Sequence, residues 1–299
     1  MARRAQPAVV LPTHSRILIP VLSAVGGSGR TTTAGLLATG MSQLGSSVVA
    51  DLAHRLASPW PAWAQQPGAG LVSIPPHLPL TRRQIRTAAT TFPAPDGGSW
   101  QVLTDHQEWS APALRLPDAP AAWQQLAAAG GWQVLVADTA HPVAHDIVSA
   151  RTEGRTGLTA AWCALPFAVP VLAVAATASG MQAAQIALMA ATAEGLPLDR
   201  MVVALVGTAD GRLPAAVKAG ETMLAPMVSA VVRVDHDPQI RAYGLRDVTR
   251  LSSRSAQAAT ALARAVLASA HASWGDPLPA APAPAAAPLP VHVPEKVSS

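Results

Sequence analysis

Six short apolar runs recur along this chain, and segments long enough to form helices separate them. The runs are RILIPVLS, SSVVADL, WQVLVADT, PVLAVAAT, MVVALVG and VSAVVRV. They lack the polar alternation of a half-exposed strand, so both faces of each strand are expected to be buried. Strands that alternate with helices in this way predict an α/β fold, a mostly parallel sheet with helices on both faces.

The composition agrees with a layered fold. The 299 residues are 50% hydrophobic but only 4% aromatic. Alanine, valine and leucine must therefore fill the core, as they do where helices pack closely on a sheet. A chain of this length can bury a large core.

Charge and cysteine content restrict the classes of function. The net charge is +4 and the only lysines are Lys218 and Lys296, so no basic run resembles a nucleic-acid-binding tail. Cys163 is the only cysteine, and residues 1–16 lack the apolar core of a signal peptide. We therefore expect no intrachain disulfide and a cytoplasmic protein.

Three segments are expected along the chain. Residues 1–14 are predicted to be an extended arm, residues 15–274 the folded domain, and residues 275–299 a Pro/Ala-rich disordered tail. Within the domain, the Trp- and Pro-rich segment 59–120 gives only two short strand candidates, GLVSI and WQVLTD. Pro20 lies inside the first predicted strand, where it must remove a ladder hydrogen bond.

The uncharged stretch 156–193 has the hydropathy of a membrane span. Two prolines interrupt it, and PVLAVAAT within it is predicted to be a buried strand. Ser179 and Gln182 are predicted to form the capping box of the following helix, which is expected to end at Gly195. A strand and a capped helix therefore explain the stretch better than a span does.

The turn VGGSGRTTT is the main candidate for chemistry. It follows the strand Ile17–Ser23, and its three glycines let the backbone turn tightly and point N–H groups inward at the start of a helix. A helix N-terminus adds about half a positive charge there. The residues expected to bind a phosphate group are Gly26, Gly27, Ser28, Gly29, Arg30, Thr31 and Thr32.

Two further strands end in aspartate. The strand in VVADL ends in Asp51, and WQVLVADTAHP carries Asp138 at the end of its apolar run. From such a position a carboxylate reaches a metal-bound water beside a phosphate, and the hydroxyl of Thr31 is placed to bind Mg²⁺. We therefore expect Mg²⁺ at Thr31, Asp51 and Asp138, with the two aspartates acting through water.

These segments resemble a known family. VGGSGRTTT, VVADLAHR and VLVADTAHP are similar, in order and spacing, to the deviant Walker A, switch I and Walker B segments of the ParA/MinD family of partitioning and positioning ATPases. PVLAVAATASGMQAAQ, VVALVGTADG and VVRVDHDPQIRAYGL resemble its C-terminal half. The resemblance implies a P-loop NTPase fold, binding of ATP with Mg²⁺, an ATP-dependent homodimer, slow hydrolysis, and a role as a switch or positioning factor.

The departures from the family pattern concern the charged residues. Val25 stands at the signature lysine, Arg30 at the second lysine, and Ala53 at the second aspartate of switch I. Asp51 matches the first aspartate and is the candidate catalytic residue. Arginine keeps the positive charge of lysine and can bind two phosphate oxygens. Valine at position 25 has no charge, and alanine at position 53 cannot orient a water. We expect ATP binding, weak or absent hydrolysis, and an Arg30 side chain that faces solvent when no nucleotide is bound.

An alternative from another class stays open: a pseudo-ATPase scaffold that binds protein partners without turnover, with the Pro-rich tail as one docking segment. The ParA/MinD resemblance also implies a protein partner, whose identity is unknown. DNA or a membrane is possible as the surface to which the protein binds, but no clear motif supports either. Arg82, Arg83 and Arg86 are predicted to lie on a solvated helix face rather than a DNA patch. His141 and His145 are a weak candidate for a metal site, because a loop is expected there.

Overall fold

A computed structural model describes residues 10–75, 79–95 and 97–283 of the chain. The strands within these residues are β1 (Ile17–Ser23), β2 (Ser47–Asp51), β3 (Thr90–Pro93), β4 (Ser99–Leu103), β5 (Val134–Pro142), β6 (Val171–Ala175), β7 (Val202–Val206) and β8 (Ala230–Val234). The α-helices within the same residues are α1 (Arg30–Met41), α2 (Trp60–Trp63), α3 (Arg82–Ala88), α4 (Pro120–Gly130), α5 (Val143–Thr152), α6 (Leu158–Cys163), α7 (Ala178–Ala193), α8 (Ala215–Leu224), α9 (Pro238–Tyr243) and α10 (Ser253–Trp274).

The strands form one sheet in the order β3-β4-β2-β5-β1-β6-β7-β8. Every neighbouring pair is parallel except β3 and β4, which are antiparallel at one edge. The predicted fold class is confirmed, and all six apolar runs contain strands. Of the two further candidates, WQVLTD contains β4, but GLVSI is wrong because Leu71–Ser73 is a 3₁₀ turn.

Helices cover both faces of the sheet. On one face α1 and α10 pack against side chains of β1, β5, β6 and β7. On the other face α5, α7 and α8 cover one half of the sheet, and α3, α4 and α6 cover the half next to the antiparallel edge. Because each central strand is buried on both faces, its sequence can be apolar throughout.

Pro20 occupies a position where its missing N–H faces β6. Leu18, two residues earlier, donates its N–H to Phe167 on that side, and alternate residues of a strand point the same way. The β1–β6 register places Pro20 opposite Pro170, just before the continuous ladder begins at Val21. The lost hydrogen bond is therefore confined to the amino end of one strand pair.

The uncharged stretch 156–193 folds as α6, β6 and α7. In the part of the chain that the structure describes, no helix combines the length and the apolar character that crossing a membrane requires. The predicted Ser179/Gln182 capping box is wrong. Thr177 is the N-cap instead, because its extended backbone at the end of β6 lets its hydroxyl accept the N–H of Gly180.

The described residues of the two end segments pack against each other and the domain. Leu11 and Leu278 are both buried in the core. The hydroxyl of Ser15 donates to the carbonyl of Leu278 at 3.0 Å, and the N–H of Ala281 donates to the carbonyl of His14 at 2.9 Å. Residues 1–9 and 284–299 of the predicted arm and tail lie outside the described residues.

The arginines of α3 do not share one solvated face. Arg82 and Arg83 are exposed, but the Arg86 guanidinium stacks 4.2 Å from the centre of the Trp132 ring and donates to the carbonyls of Gly130 and Gly131. Arg86 thus ties α3 to the end of α4.

Candidate nucleotide site at the carboxyl edge of the sheet

The glycine turn after β1 has the backbone of an anion-binding loop. Gly27 and Gly29 have φ angles of 74° and 83°, which glycine adopts without strain. A Cβ atom added at Gly26 or Gly27 would meet nothing within 4 Å, whereas one at Gly29 would lie 2.8 Å from Val206 Cγ1. The turn therefore leaves space at its tip and packs tightly at its base.

The N-terminus of α1 follows this turn directly. The N–H of Thr33 donates to the carbonyl of Gly29 at 2.9 Å, which is the first hydrogen bond of the helix. The hydroxyl of Ser28 is buried and has no hydrogen-bond partner. A buried hydroxyl without a partner is costly and rare in proteins. Partial positive charge, open space and an unsatisfied hydroxyl together suit a phosphate group.

Arg30 does not face solvent as we expected from the sequence. Its side chain is 19% exposed, and Nε lies 3.3 Å from Oδ1 of Asp138. Nη1 donates to the hydroxyl of Ser23 at 3.1 Å. The expectation was wrong because Asp138 is almost fully buried, and a buried carboxylate needs a positive partner.

Trp60 holds the other oxygen of the same carboxylate. This residue belongs to α2, is fully buried, and donates its indole N–H to Oδ2 of Asp138 at 2.9 Å. Burial raises the pKa of Asp138, and the charge of Arg30 with hydrogen bonds from Trp60, Thr31 and Arg30 opposes this effect. The carboxylate is thus enclosed by donors of the chain itself.

Asp51 lies beside Asp138 in the β2–β5 register, but its hydrogen bonds run toward β4. Its Oδ2 atom accepts the hydroxyls of Ser58 and Thr104, both at 2.6 Å, and its Oδ1 atom accepts the N–H of Ala53 at 3.2 Å. Burial raises the pKa of Asp51 to about 7, although the two hydroxyls oppose it.

Mg²⁺ does not fit the three residues predicted to bind it. A hard cation or its bound water needs free oxygen lone pairs. Arg30 donates to one oxygen of Asp138, Trp60 donates to the other, and Asp51 already accepts three donors, so groups of the chain itself hold both carboxylates. Among the described residues, no group of three or more His, Cys, Asp or Glu is arranged to hold a metal.

The structure brings the predicted phosphate-binding residues and Asp138 together. The side-chain hydrogen bonds of Asp51 instead go to Ser58 and Thr104. A cavity of about 360 Å³ lies on the far side of Asp51, and its lining includes Arg55 and Asp105 but none of residues 26–32. His141 contacts Thr159 at 3.1 Å and lies on β5, where a loop was expected.

Sequence reasoning missed the partners of both aspartates. Trp60 was not predicted near Asp138, and Ser58 and Thr104 were not predicted near Asp51. Trp60 gave one signal: a large aromatic residue shortly after a strand in an otherwise aromatic-poor chain. The signal does not say which carboxylate its N–H reaches.

No protein-family model matches this sequence, and no curated protein does. Solved structures are similar in fold. The MinC:MinD cell division protein complex of Aquifex aeolicus matches with a TM-score of 0.56 at 14% identity, over 84% of this chain and 96% of that one. The cell division ATPase MinD of Pyrococcus furiosus matches with a TM-score of 0.52 at 15% identity, over 84% and 98%.

A ParA family ATPase from Chlorobium tepidum TLS matches with a TM-score of 0.54 at 11% identity, over 84% of this chain and 98% of that chain. At such identities the match concerns the course of the backbone and not the side chains. It agrees with the glycine turn between β1 and α1 and with the largely parallel sheet. The chain therefore has the ParA/MinD-like P-loop fold.

Proposed function

We propose that this protein is a cytoplasmic ATP-binding protein with a positioning or partitioning role, and that its intrinsic hydrolysis is weak or absent. The observation that carries the proposal is the glycine turn. Gly27 and Gly29 are left-handed, the N-terminus of α1 follows, and the hydroxyl of Ser28 is buried without a partner. These features suit a phosphate group and have no evident structural use.

The proposal of weak hydrolysis rests on three residues at the same edge of the sheet. Val25 is 42% exposed and carries no charge. Ala53 supplies only its backbone N–H, which goes to Asp51. Ser58, Thr104 and the N–H of Ala53 hold the carboxylate of Asp51, and position 53 has no second carboxylate to orient an attacking water.

A protein partner or a second copy of the chain is part of the proposal. Val25, Leu56 and Trp109 follow β1, β2 and β4, so they lie at the carboxyl edge of the sheet. They are 42%, 66% and 80% exposed. Large apolar side chains at one edge suit a protein interface. The Aquifex MinD structure is a complex of that protein with MinC, which makes a partner reasonable here.

Nucleotide titration tests the proposal. ATP and ADP at millimolar concentration should raise the melting temperature, because a ligand of the native state at a hundredfold its dissociation constant adds about 2.7 kcal/mol. Ser28→Ala is the sharper variant. It removes an unsatisfied hydroxyl, so the free protein should not lose stability, while ATP affinity should fall by about 0.5 to 1.5 kcal/mol.

A second candidate function is a scaffold that binds protein partners without nucleotide. The Arg30–Asp138 pair favours it, because a guanidinium already occupies the carboxylate beside the loop. If neither ATP nor ADP changes the melting temperature, the ATP-binding proposal is wrong and the scaffold becomes the better supported function.

A further inference from the structure

Arg30 lies where the sequence pattern places a divalent cation. It is the first residue of α1, directly after the glycine turn, and its guanidinium is joined to Asp138 on the neighbouring strand β5. A carboxylate at this strand end was expected to hold Mg²⁺ through water. Its partner is instead a positive charge supplied by the chain.

The side chains around Asp138 are donors of the chain itself, and they enclose the carboxylate almost completely. Metal-bound water donates hydrogen bonds to carboxylates, but both oxygens of Asp138 already accept protein N–H groups, at 3.3 Å from Arg30 and 2.9 Å from Trp60. Trp60 is fully buried and Asp138 is 1% exposed. A hydrated cation would have to displace a core tryptophan or break a buried ion pair, and either change is costly.

The guanidinium keeps donors for a ligand after it has engaged the protein. Arginine has five N–H groups. Nε donates to Asp138 and Nη1 donates to Ser23, and these are the hydrogen bonds of this side chain within the described residues. The side chain is 19% exposed, so the remaining N–H groups can reach a phosphate at the loop without losing either anchor.

We propose that Arg30, anchored by Asp138, takes the place of Mg²⁺, so that ATP binds at this loop without a divalent cation. The inference rests on the proposed ATP-binding function and goes beyond it. It identifies the ligand as the metal-free nucleotide and Arg30 as the cation of the site.

The test measures the affinity of the full chain for ATP by calorimetry, once with EDTA and once with millimolar Mg²⁺. Affinity in EDTA should equal or exceed that with Mg²⁺, because free Mg²⁺ competes for the same phosphate oxygens. If Mg²⁺ tightens binding about tenfold or more, a difference of about 1.4 kcal/mol, the inference is overturned while the proposed function stands. Absence of binding under both conditions overturns both.

Two further measurements make the test specific to Arg30. Arg30→Ala should weaken ATP binding in EDTA by about tenfold or more, as expected for loss of a charge-assisted contact, and Mg²⁺ should not restore it. The control is Arg155→Ala. Arg155 follows the C-terminus of α5 and forms an ion pair with Glu153 there, away from the glycine turn. Mn²⁺ alone should give the same paramagnetic signal with and without the wild-type protein, and bound Mn²⁺ at this loop would contradict the inference.

Discussion

The indole nitrogen of Trp60 lies 2.9 Å from Oδ2 of Asp138, and both side chains are buried. This contact joins the segment after β2 to the strand end that faces the glycine turn. Trp60 also meets Trp63, Phe92 and Trp100 edge-on, with ring centres 5.2 to 5.9 Å apart. The carboxylate beside the candidate site is therefore positioned by an aromatic cluster of the core.

Trp60→Phe should destabilise the protein through loss of this one hydrogen bond. Phenylalanine keeps most of the aromatic packing but leaves Oδ2 of Asp138 buried without its donor, at a cost of about 1 to 3 kcal/mol. Urea unfolding measures the change. Trp123→Phe is the matched control, because the N–H of this buried tryptophan goes to a neutral acceptor, the carbonyl of Pro117. An equal loss in both variants would argue against a special role for the Trp60 contact.

Arg30→Ala should destabilise the free protein, in contrast to the expectation from sequence. Removing the positive partner of a mostly buried ion pair costs roughly 2 to 4 kcal/mol. In the double variant Arg30→Ala, Asp138→Asn the losses should not add, because the second change removes the charge left unpaired by the first. Additive losses in chemical denaturation would show that the 3.3 Å contact contributes no coupling energy.

Asp51 should make stability fall as pH rises toward neutrality. Its pKa is raised from 3.8 to about 7 in the folded protein, so the folded state binds more protons than the unfolded state between these values. The contribution is complete below about pH 4 and is lost as pH rises through about 7, with an upper limit of about 4 kcal/mol.

The pH dependence is tested by unfolding wild type and Asp51→Asn between about pH 4 and pH 8. The variant should show a shallower decline; some decline should remain, since the pKa of Asp138 is also raised. Asp118→Asn, at an exposed position, serves as the control. A variant profile parallel to wild type would refute the role of Asp51.

Gly29→Ala should be far more damaging than Gly154→Ala. Both glycines have positive φ, 83° and 66°, but an added Cβ meets Val206 at Gly29 and nothing within 4 Å at Gly154. Each variant pays about 1 to 2 kcal/mol for the backbone, and Gly29→Ala adds about 1 to 3 kcal/mol of overpacking. Similar melting temperatures for the two variants would contradict the close approach of the loop to β7.

ATP turnover by the purified protein should fall far below the median enzyme rate of about 10 per second. Val25 and Ala53 supply no charge, and the carboxylate of Asp51 is held by Ser58, Thr104 and the N–H of Ala53. A phosphate-release assay at saturating ATP measures it. Arg30→Lys should remain slow, because the other two positions are unchanged; rapid turnover in either protein would mean that another residue supplies the missing charge.

The sheet was predictable from sequence because each buried parallel strand is a short, continuous run of apolar residues. Runs such as VLVA and VVALV are apolar at every position, and the glycines that follow β1 mark the turn. Helix α10 likewise carries alanine and leucine at helical spacing on the face that packs against α1. These patterns depend on neighbours within one element.

The partners of the charged residues were not predictable in the same way. Arg30 and Asp138 lie 108 residues apart in the chain, and Trp60 lies 78 residues from Asp138. Such contacts depend on which strands become neighbours and on how the segment after β2 folds back. The aspartates were identified at strand ends, but their protonation and their hydrogen bonds depend on that tertiary packing.

Pro20 of β1 and Pro170, which precedes β6, face each other on the line that separates two groups of strands. Five strands, from β3 to β1, lie on one side of this line, and β6, β7 and β8 lie on the other. The glycine turn belongs to the first group, yet Gly29 rests on Val206 of the second. Because the loop belongs to one group and rests on the other, a small shear between them would change the width of the phosphate cradle.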